Sequence, residues 1–204
     1  MSKQNFSNSL KKSFSSKETF DQWATDYDKE VQSVDYQAPK IVSEKVLEFI
    51  SGGLLLDIGC GTGLLAKYLK EKTNNFIIDG CDYSQAMIDV ANTKNLYRSL
   101  SCCDINNLPF DDSIYDVITS VGVFASQQGK KDKGSPDAES LTEVIRILKS
   151  GGYFIFTISE RIMKTDGDYY EKVISQLPVK VIEKIEKPYH QVIPTMQCLV
   201  LQKN

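Results

Sequence analysis

Three apolar residues, an acid and three alternating glycines stand together at Leu54-Leu55-Leu56-Asp57-Ile58-Gly59-Cys60-Gly61-Thr62-Gly63, and an apolar-periodic run from Leu64 to Leu69 follows at once. The triplet reads as a buried strand, the periodic run as a helix, and the glycines between them as a tight turn. A strand that turns this sharply into a helix belongs to an open α/β sheet. It sets the turn at the carboxyl end of the strand, where such sheets bind ligands. Glycine lets backbone approach a ligand closely, because no Cβ intervenes, and the helix start offers unpaired N–H groups. The spacing departs from the G-x-G-x-x-G dinucleotide fingerprint, since Leu64 stands where its third glycine belongs. Asp57 suits a cationic ligand better than a pyrophosphate. An incidental strand–turn–helix stays open as the alternative at this point.

The rest of the chain extends the same plan. Lys17 to Gln32 reads as one helix with Phe20, Trp23, Ala24 and Tyr27 on a face, and Lys40 to Ile50 as a second, ended by Ser51-Gly52-Gly53. After the strand at 54–57 and the helix at 63–71 comes a second strand, Phe76 to Asp82. Ser84 then caps a helix from Gln85 to Asn92. Leu100 to Cys103 and Ile114 to Val121 read as strands three and four. Asp137 or Glu139 opens a helix that Gly151-Gly152 ends, and Tyr153 to Ile158 is strand five. A helix around Tyr169 to Leu177 precedes two last strands, Val179 to Ile185 and Met196 to Leu201. Strands alternating with helices imply a parallel sheet. The last two strands have no helix between them and should form an antiparallel hairpin. The expected fold is therefore a Rossmann-like, seven-stranded, mostly parallel sheet with helices on both faces.

Composition excludes more than it identifies. With 24 basic and 27 acidic residues the net charge is −3, which argues against bulk nucleic-acid binding. No run approaches the eighteen apolar residues of a membrane-spanning helix. Residues 1–16 are polar, without an apolar core for a secretory signal, and read as a disordered tail; 17–204 reads as the folded domain. Five cysteines without framework spacing read as small core residues of a reduced, cytoplasmic compartment. With one histidine, His190, there is no zinc constellation.

Asp82 ends the second strand, where an acid can accept both ribose hydroxyls of a nucleoside. Tyr83 and Met87 lie just beyond it and are placed to cover a purine, although Met87 also fits the core face of its helix. His190, in a loop between the last strands, is a base candidate because imidazole titrates near neutral pH; a surface or capping role is the alternative.

As a set, D-x-G-x-G-x-G after a hydrophobic strand, Asp82, Asp104, the run Leu108-Pro109-Phe110-Asp111-Asp112-Ser113-Ile114-Tyr115-Asp116 and the entry Leu148-Lys149-Ser150-Gly151-Gly152-Tyr153 resemble class I S-adenosylmethionine-dependent methyltransferases. Ser150 stands where the family usually has proline. The resemblance implies S-adenosylmethionine as cofactor and S-adenosylhomocysteine as product. It implies a cofactor site of Tyr27, Asp57, Gly59, Cys60, Gly61, Asp82, Tyr83, Met87, Asp104, Ile105 and Ser120, in which Asp104 and the Ile105 N–H meet the adenine. It nominates no catalytic residue and no metal. Ser120-Val121-Gly122-Val123 is unlike the D/N-P-P-Y motif of amide and adenine-amine methylation, which argues against a DNA, RNA-adenine or glutamine acceptor, and the core domain has no large insertion, so a small-molecule or flexible chain-end O or N acceptor is expected rather than a large folded substrate or nucleic acid.

Phe20-Asp21-Gln22-Trp23-Ala24-Thr25-Asp26-Tyr27-Asp28, Val34-Asp35-Tyr36-Gln37-Ala38-Pro39, Phe124 and Lys187-Pro188-Tyr189 are similar to the small methyltransferase-like proteins of the Williams–Beuren-region type. This narrower resemblance implies that 17–50 is a helical lid whose Tyr27 approaches the methionine end of the cofactor. The chain departs from that group after Phe124: a histidine is absent near Gln128, and Lys130-Lys131-Asp132-Lys133-Gly134 looks inserted. A binding protein without catalysis and a nicotinamide dehydrogenase are the rival classes, the second disfavoured by the glycine spacing and the final hairpin.

Overall fold

The computed structural model describes residues 17–125, 136–191 and 193–204. The expected tail at 1–16 and most of the loop after Phe124, with its lysine-rich insertion and Gln128, lie outside the described residues.

Seven strands form one sheet: β1 (Gly53–Ile58), β2 (Phe76–Asp82), β3 (Ser99–Cys102), β4 (Tyr115–Ser120), β5 (Leu148–Ser159), β6 (Val179–Pro188) and β7 (Thr195–Lys203). Their order is β3-β2-β1-β4-β5-β7-β6. The first five pair in parallel, while β7 pairs antiparallel with both β5 and β6. The mostly parallel sheet and the final hairpin are thus as the alternation of elements predicts. The order reverses between β1 and β4, and the ends of these strands flank the crevice that this topology opens.

Helices α1 (Lys17–Trp23), α2 (Tyr27–Ser33), α3 (Ala38–Phe49), α4 (Leu64–Lys70), α5 (Gln85–Thr93), α6 (Leu141–Ile147) and α7 (Glu160–Gln176) complete the described chain. Apolar residues on the two sheet faces build separate cores. One joins Val42 and Val46 of α3 and Leu65 and Leu69 of α4 to Leu55, Ile78 and Val117. The other joins Val144 and Ile145 of α6 and Tyr170 and Ile174 of α7 to Leu56, Ile118 and Phe156. Each buried branched or aromatic side chain adds about 1.5–3 kcal/mol. The alternating strand pattern therefore clamps the sheet between its helices and leaves its carboxyl edge for the site.

Three boundaries and the burial of one cysteine differ from expectation for physical reasons. The helix expected over 17–32 is two helices, because the chain turns at 24–26 (Asp26 N–H to Trp23 O, 3.1 Å) and restarts with Asp26 O accepting from Glu30 N–H (3.0 Å). Gly151 and Gly152 do not end a helix. They lie inside β5, next to a register shift against β4, where Gly151 takes φ +76°. The helix near 169 begins at Glu160, because Ser159 accepts from Ile162 N–H; its polar first half hides the apolar stripe. Cys102 is exposed rather than a core residue, since β3 is an edge strand; Cys60, Cys81 and Cys198 are buried as expected.

Candidate functional site

The glycine turn leaves β1 with three left-handed residues, Gly59 (φ +65°), Gly61 (+52°) and Gly63 (+90°). L side chains avoid this conformation. The two outer glycines are also tight. A Cβ on Gly59 would stand 2.2 Å from Val123 Cγ2, and one on Gly63 3.0 Å from the Tyr97 ring. At Gly61 a Cβ would meet nothing within 4 Å, so this residue faces open space at the mouth of the turn.

Two acids frame that space. Asp57 is buried at the end of β1, with Tyr97 Oη donating to one carboxylate oxygen (2.9 Å) and Thr119 Oγ1 to the other (3.1 Å). Burial pushes its pKa up to about 7; the two hydroxyls pull it down and Asp82 pushes it further up. Asp82 ends β2 and accepts from the N–H groups of Gly61 (2.8 Å) and Ser84 (2.9 Å), one on each oxygen. Burial raises its pKa as well, against those backbone bonds. The Tyr83 N–H lowers it too. Asp57 has no lysine or arginine partner among the described residues.

Of the other expected site residues, Cys60 is buried in the turn, its backbone N–H bonded to Cys81 O (3.0 Å). Met87 is fully buried beneath its Ser84 cap, on the core face of α5. Asp104 caps a single 3-10 turn, Ile105–Asn107, by accepting from Asn106 N–H (2.9 Å), and Ile105 is buried there. Tyr83 sits between Asp82 and Ser84, its carbonyl accepting from Cys102 Sγ. Ser120 is buried at the end of β4 and its hydroxyl has no partner among the described residues.

The first two helices close over this edge. Asp21 accepts from Ser84 Oγ (2.6 Å), and Asp28 accepts from Thr62 Oγ1 and pairs with Lys94 (2.5 Å). Tyr27 packs edge-on against Trp23 at 4.7 Å between ring centres. It is half-buried, and burial, Tyr189, Asp82 and Asp28 all raise its pKa. Farther on, backbone bonds from Gln37 N–H to Tyr189 O and from Gln191 N–H to Val34 O tie the same segment to the β6–β7 connection (3.0 Å each). There Tyr36 and Tyr189 meet edge-on at 5.4 Å and hydrogen-bond through their hydroxyls. A Cβ on Gly122 would lie 2.9 Å from one hydroxyl and 3.1 Å from the other.

His190 is buried against Tyr189 rather than on the surface, and its Nδ1 accepts from Ile193 N–H (3.1 Å). Burial lowers its pKa to about 4, so it is neutral at pH 7. The capping alternative is therefore the one the structure bears out.

Tyr97 and Thr119 carry no motif in the sequence, and Tyr36 and Tyr189 stand there only within the motifs of the narrower resemblance, without a role. Tyr97 nevertheless leaves a trace: Gly80 interrupts an apolar strand, and a strand glycine marks a close approach. Here the approach is the Tyr97 ring.

Comparisons with known proteins agree with this geometry. The family model described as "Methyltransferase domain" matches residues 56–156. Methyltransferase-like protein 27 of Homo sapiens is 33% identical over 116 residues, covering 53% of this chain and 46% of that protein. Probable tRNA methyltransferase 9B of Bos taurus is 34% identical over 121 residues, covering 59% and 24%. The chain thus spans less than half the length of these two relatives. Among solved structures, the methyltransferase bound to the Trm112 activator of Haloferax volcanii superposes with a TM-score of 0.71 at 18% identity, over 91% of this chain and 96% of that one. A methyltransferase of Methanococcus maripaludis does so at 0.64 and 20%, over 90% and 93%. At these identities the likeness is one of fold.

Proposed function

We propose that this chain, which carries a class I S-adenosylmethionine-dependent methyltransferase domain, moves a methyl group from S-adenosylmethionine to an oxygen or nitrogen of a small molecule or a flexible chain end. One observation carries the reading: buried Asp57 and half-buried Asp82 stand at adjacent strand ends beside the glycine turn, with no lysine or arginine partner on Asp57 among the described residues. A buried carboxylate is costly unless paired, and a cationic ligand is the missing partner. The residues present therefore fit the cofactor. Asp57 suits its positive charge, Asp82 its ribose hydroxyls, Gly61 the close backbone approach, and Asp104 with the Ile105 N–H its adenine. Cys60, Tyr83, Met87 and Ser120 line or support the same cradle.

When bound, the cofactor supplies an already activated methyl group. The chain's own work is then to place an acceptor and exclude water, and placement contributes roughly 7–11 kcal/mol to such reactions. Tyr27, Tyr36 and Tyr189 keep their phenolic protons at neutral pH, because burial raises each of them. They donate or accept hydrogen bonds but do not act as bases, and neutral His190 has its Nδ1 engaged. The segment 17–50 serves as the lid, as the narrower likeness to proteins of the Williams–Beuren-region type implies. The cytoplasm is the proposed compartment; no helix of the described residues is long and apolar enough to cross a membrane.

An RNA acceptor is the second reading, favoured by the relatives named as tRNA methyltransferases. A protein partner comes with it, since one neighbour was solved with an activator. The test is calorimetry with S-adenosylmethionine, then S-adenosylhomocysteine release on a small-molecule filtrate of cell extract and on its tRNA fraction. Release on the filtrate supports the proposal. Release confined to tRNA transfers it to the second reading, and binding without release on either leaves a non-catalytic binding protein.

A further inference from the structure

Tyr97 belongs to no helix or strand, yet the fold makes room for it. Its ring passes between Gly63, the last residue of the glycine turn, and Gly80, in the middle of β2. A Cβ would stand 3.0 Å from its Cε2 on the first and 2.8 Å from its Cε1 on the second. Two backbone positions thus lack a side chain where this ring threads through. At the far end its hydroxyl donates to Asp57 at 2.9 Å. Gly80 and Asp57 are direct partners across β1 and β2, which sets the length of the reach.

A ring that merely filled space would not need its hydroxyl. This one meets a buried carboxylate whose described partners are hydroxyls, Tyr97 on one oxygen and Thr119 on the other. Hydrogen bonds to the charged form favour it, and two donors on opposite oxygens also fix the plane of the carboxylate. The titratable groups facing Asp57 are Asp82 at the end of β2, the Cys60 thiol in the turn, the Tyr36 phenol from the lid and Tyr97 itself. None is a cation. Burial and Asp82 oppose ionisation of Asp57, and the two hydroxyls are what favour its charged form against them.

We propose that Tyr97 is a positioning residue for the cofactor: its hydroxyl orients Asp57 and favours its charged form, so that the cradle prefers the sulfonium-bearing S-adenosylmethionine to the uncharged thioether of S-adenosylhomocysteine. This rests on the cofactor assignment above. The two ligands differ by the methyl group and one positive charge, so a nearby ionised carboxylate discriminates between them and a protonated one does not.

The experiment measures the dissociation constants of both ligands by calorimetry from pH 6 to pH 8.5. It compares the wild type, Tyr97→Phe, and a chain with 3-fluorotyrosine at position 97. The fluorinated phenol keeps the hydroxyl and donates more strongly. In the wild type, S-adenosylmethionine affinity falls as the pH drops through the titration of Asp57. Tyr97→Phe should move that fall to higher pH, weaken S-adenosylmethionine at least five-fold at pH 7.5 and narrow its advantage over S-adenosylhomocysteine. The fluorinated chain should move the fall to lower pH, and its result decides the matter if Tyr97→Phe does not fold. Superimposable pH profiles in all folded chains, whatever their melting temperatures, would overturn the role of Tyr97 while leaving the cofactor in place. A wild type that binds neither ligand at any pH would overturn the cofactor assignment, and this inference with it.

Discussion

Asp57 and Asp79 sit on neighbouring central strands, one rung apart, and are equally hidden, each 2% exposed. Their surroundings are opposite. Burial pushes Asp79 up, but the Arg98 guanidinium outweighs it, helped by the hydroxyls of Ser99 and Tyr115, and its pKa ends below the usual carboxylate range. Asp57 has two hydroxyls and a second acid nearby, and ends at about 7. The first acid is complete within the protein: it fastens the start of β3 to β2. The second is incomplete, and stands where the sheet order reverses and backbone lies open. A buried charge supplied with its counter-ion reads as structure. One left without it reads as a place for a ligand.

The largest test of this contrast is Asp79→Ala. It strands the Arg98 guanidinium and two hydroxyls, and should cost about 3 kcal/mol, the low end for breaking a buried pair, because Arg98 is half exposed and can rehydrate. Chemical denaturation measures it. Cofactor affinity of the folded fraction should not change, and a loss there would erase the distinction between the two acids.

Asp57→Asn should act in the reverse sense. The folded-state pKa lies above the ordinary 3.8, so the folded chain holds the extra proton between about pH 4 and 7. Ligand-free stability therefore falls as pH rises through that window, and the full cost stands above it. At pH 8 the variant should be more stable than the wild type by roughly 1–3 kcal/mol. The gain should fade towards pH 4, and S-adenosylmethionine affinity should be lost. Equal stabilities at pH 8, seen by thermal melting without ligand, would mean that Asp57 is already compensated.

Gly61→Ala sharpens the contrast at the turn. Its left-handed φ should cost about 1 kcal/mol of stability, with no clash inside the protein. Cofactor affinity should drop at least ten-fold, because the new methyl occupies the open side. Undiminished affinity in calorimetry would move the site elsewhere.

Asp28→Asn gives the smallest effect. The pair with Lys94 is partly exposed and contributes about 0.5 kcal/mol, so the melting temperature should barely move. Hydrogen exchange over residues 20–39 should quicken in the free protein and slow on adding cofactor. Exchange that ignores cofactor would make the first two helices fixed core rather than a lid.

Most of the fold was legible because its signals are local. Alternating apolar runs, Ser84 as a cap and the missing helix between β6 and β7 each act within a dozen residues. The glycine turn and Asp82 were legible for the same reason, being tied to strand ends that periodicity locates. Boundaries failed where a tertiary contact overrode the local sign, as when pairing with β4 drew Gly151 and Gly152 into β5.

By itself, then, the sequence determined the class of fold, the place of the turn and the acids that end β1 and β2. Tertiary structure decided what those acids experience. Tyr97 comes from the approach to β3, Thr119 from β4 and the Tyr36–Tyr189 contact from two distant loops, none of them adjacent in the chain to Asp57. Nothing in a one-dimensional pattern reports how many donors reach a carboxylate or how far water is excluded from it. Charge state depends on both, and both exist only once the sheet has closed.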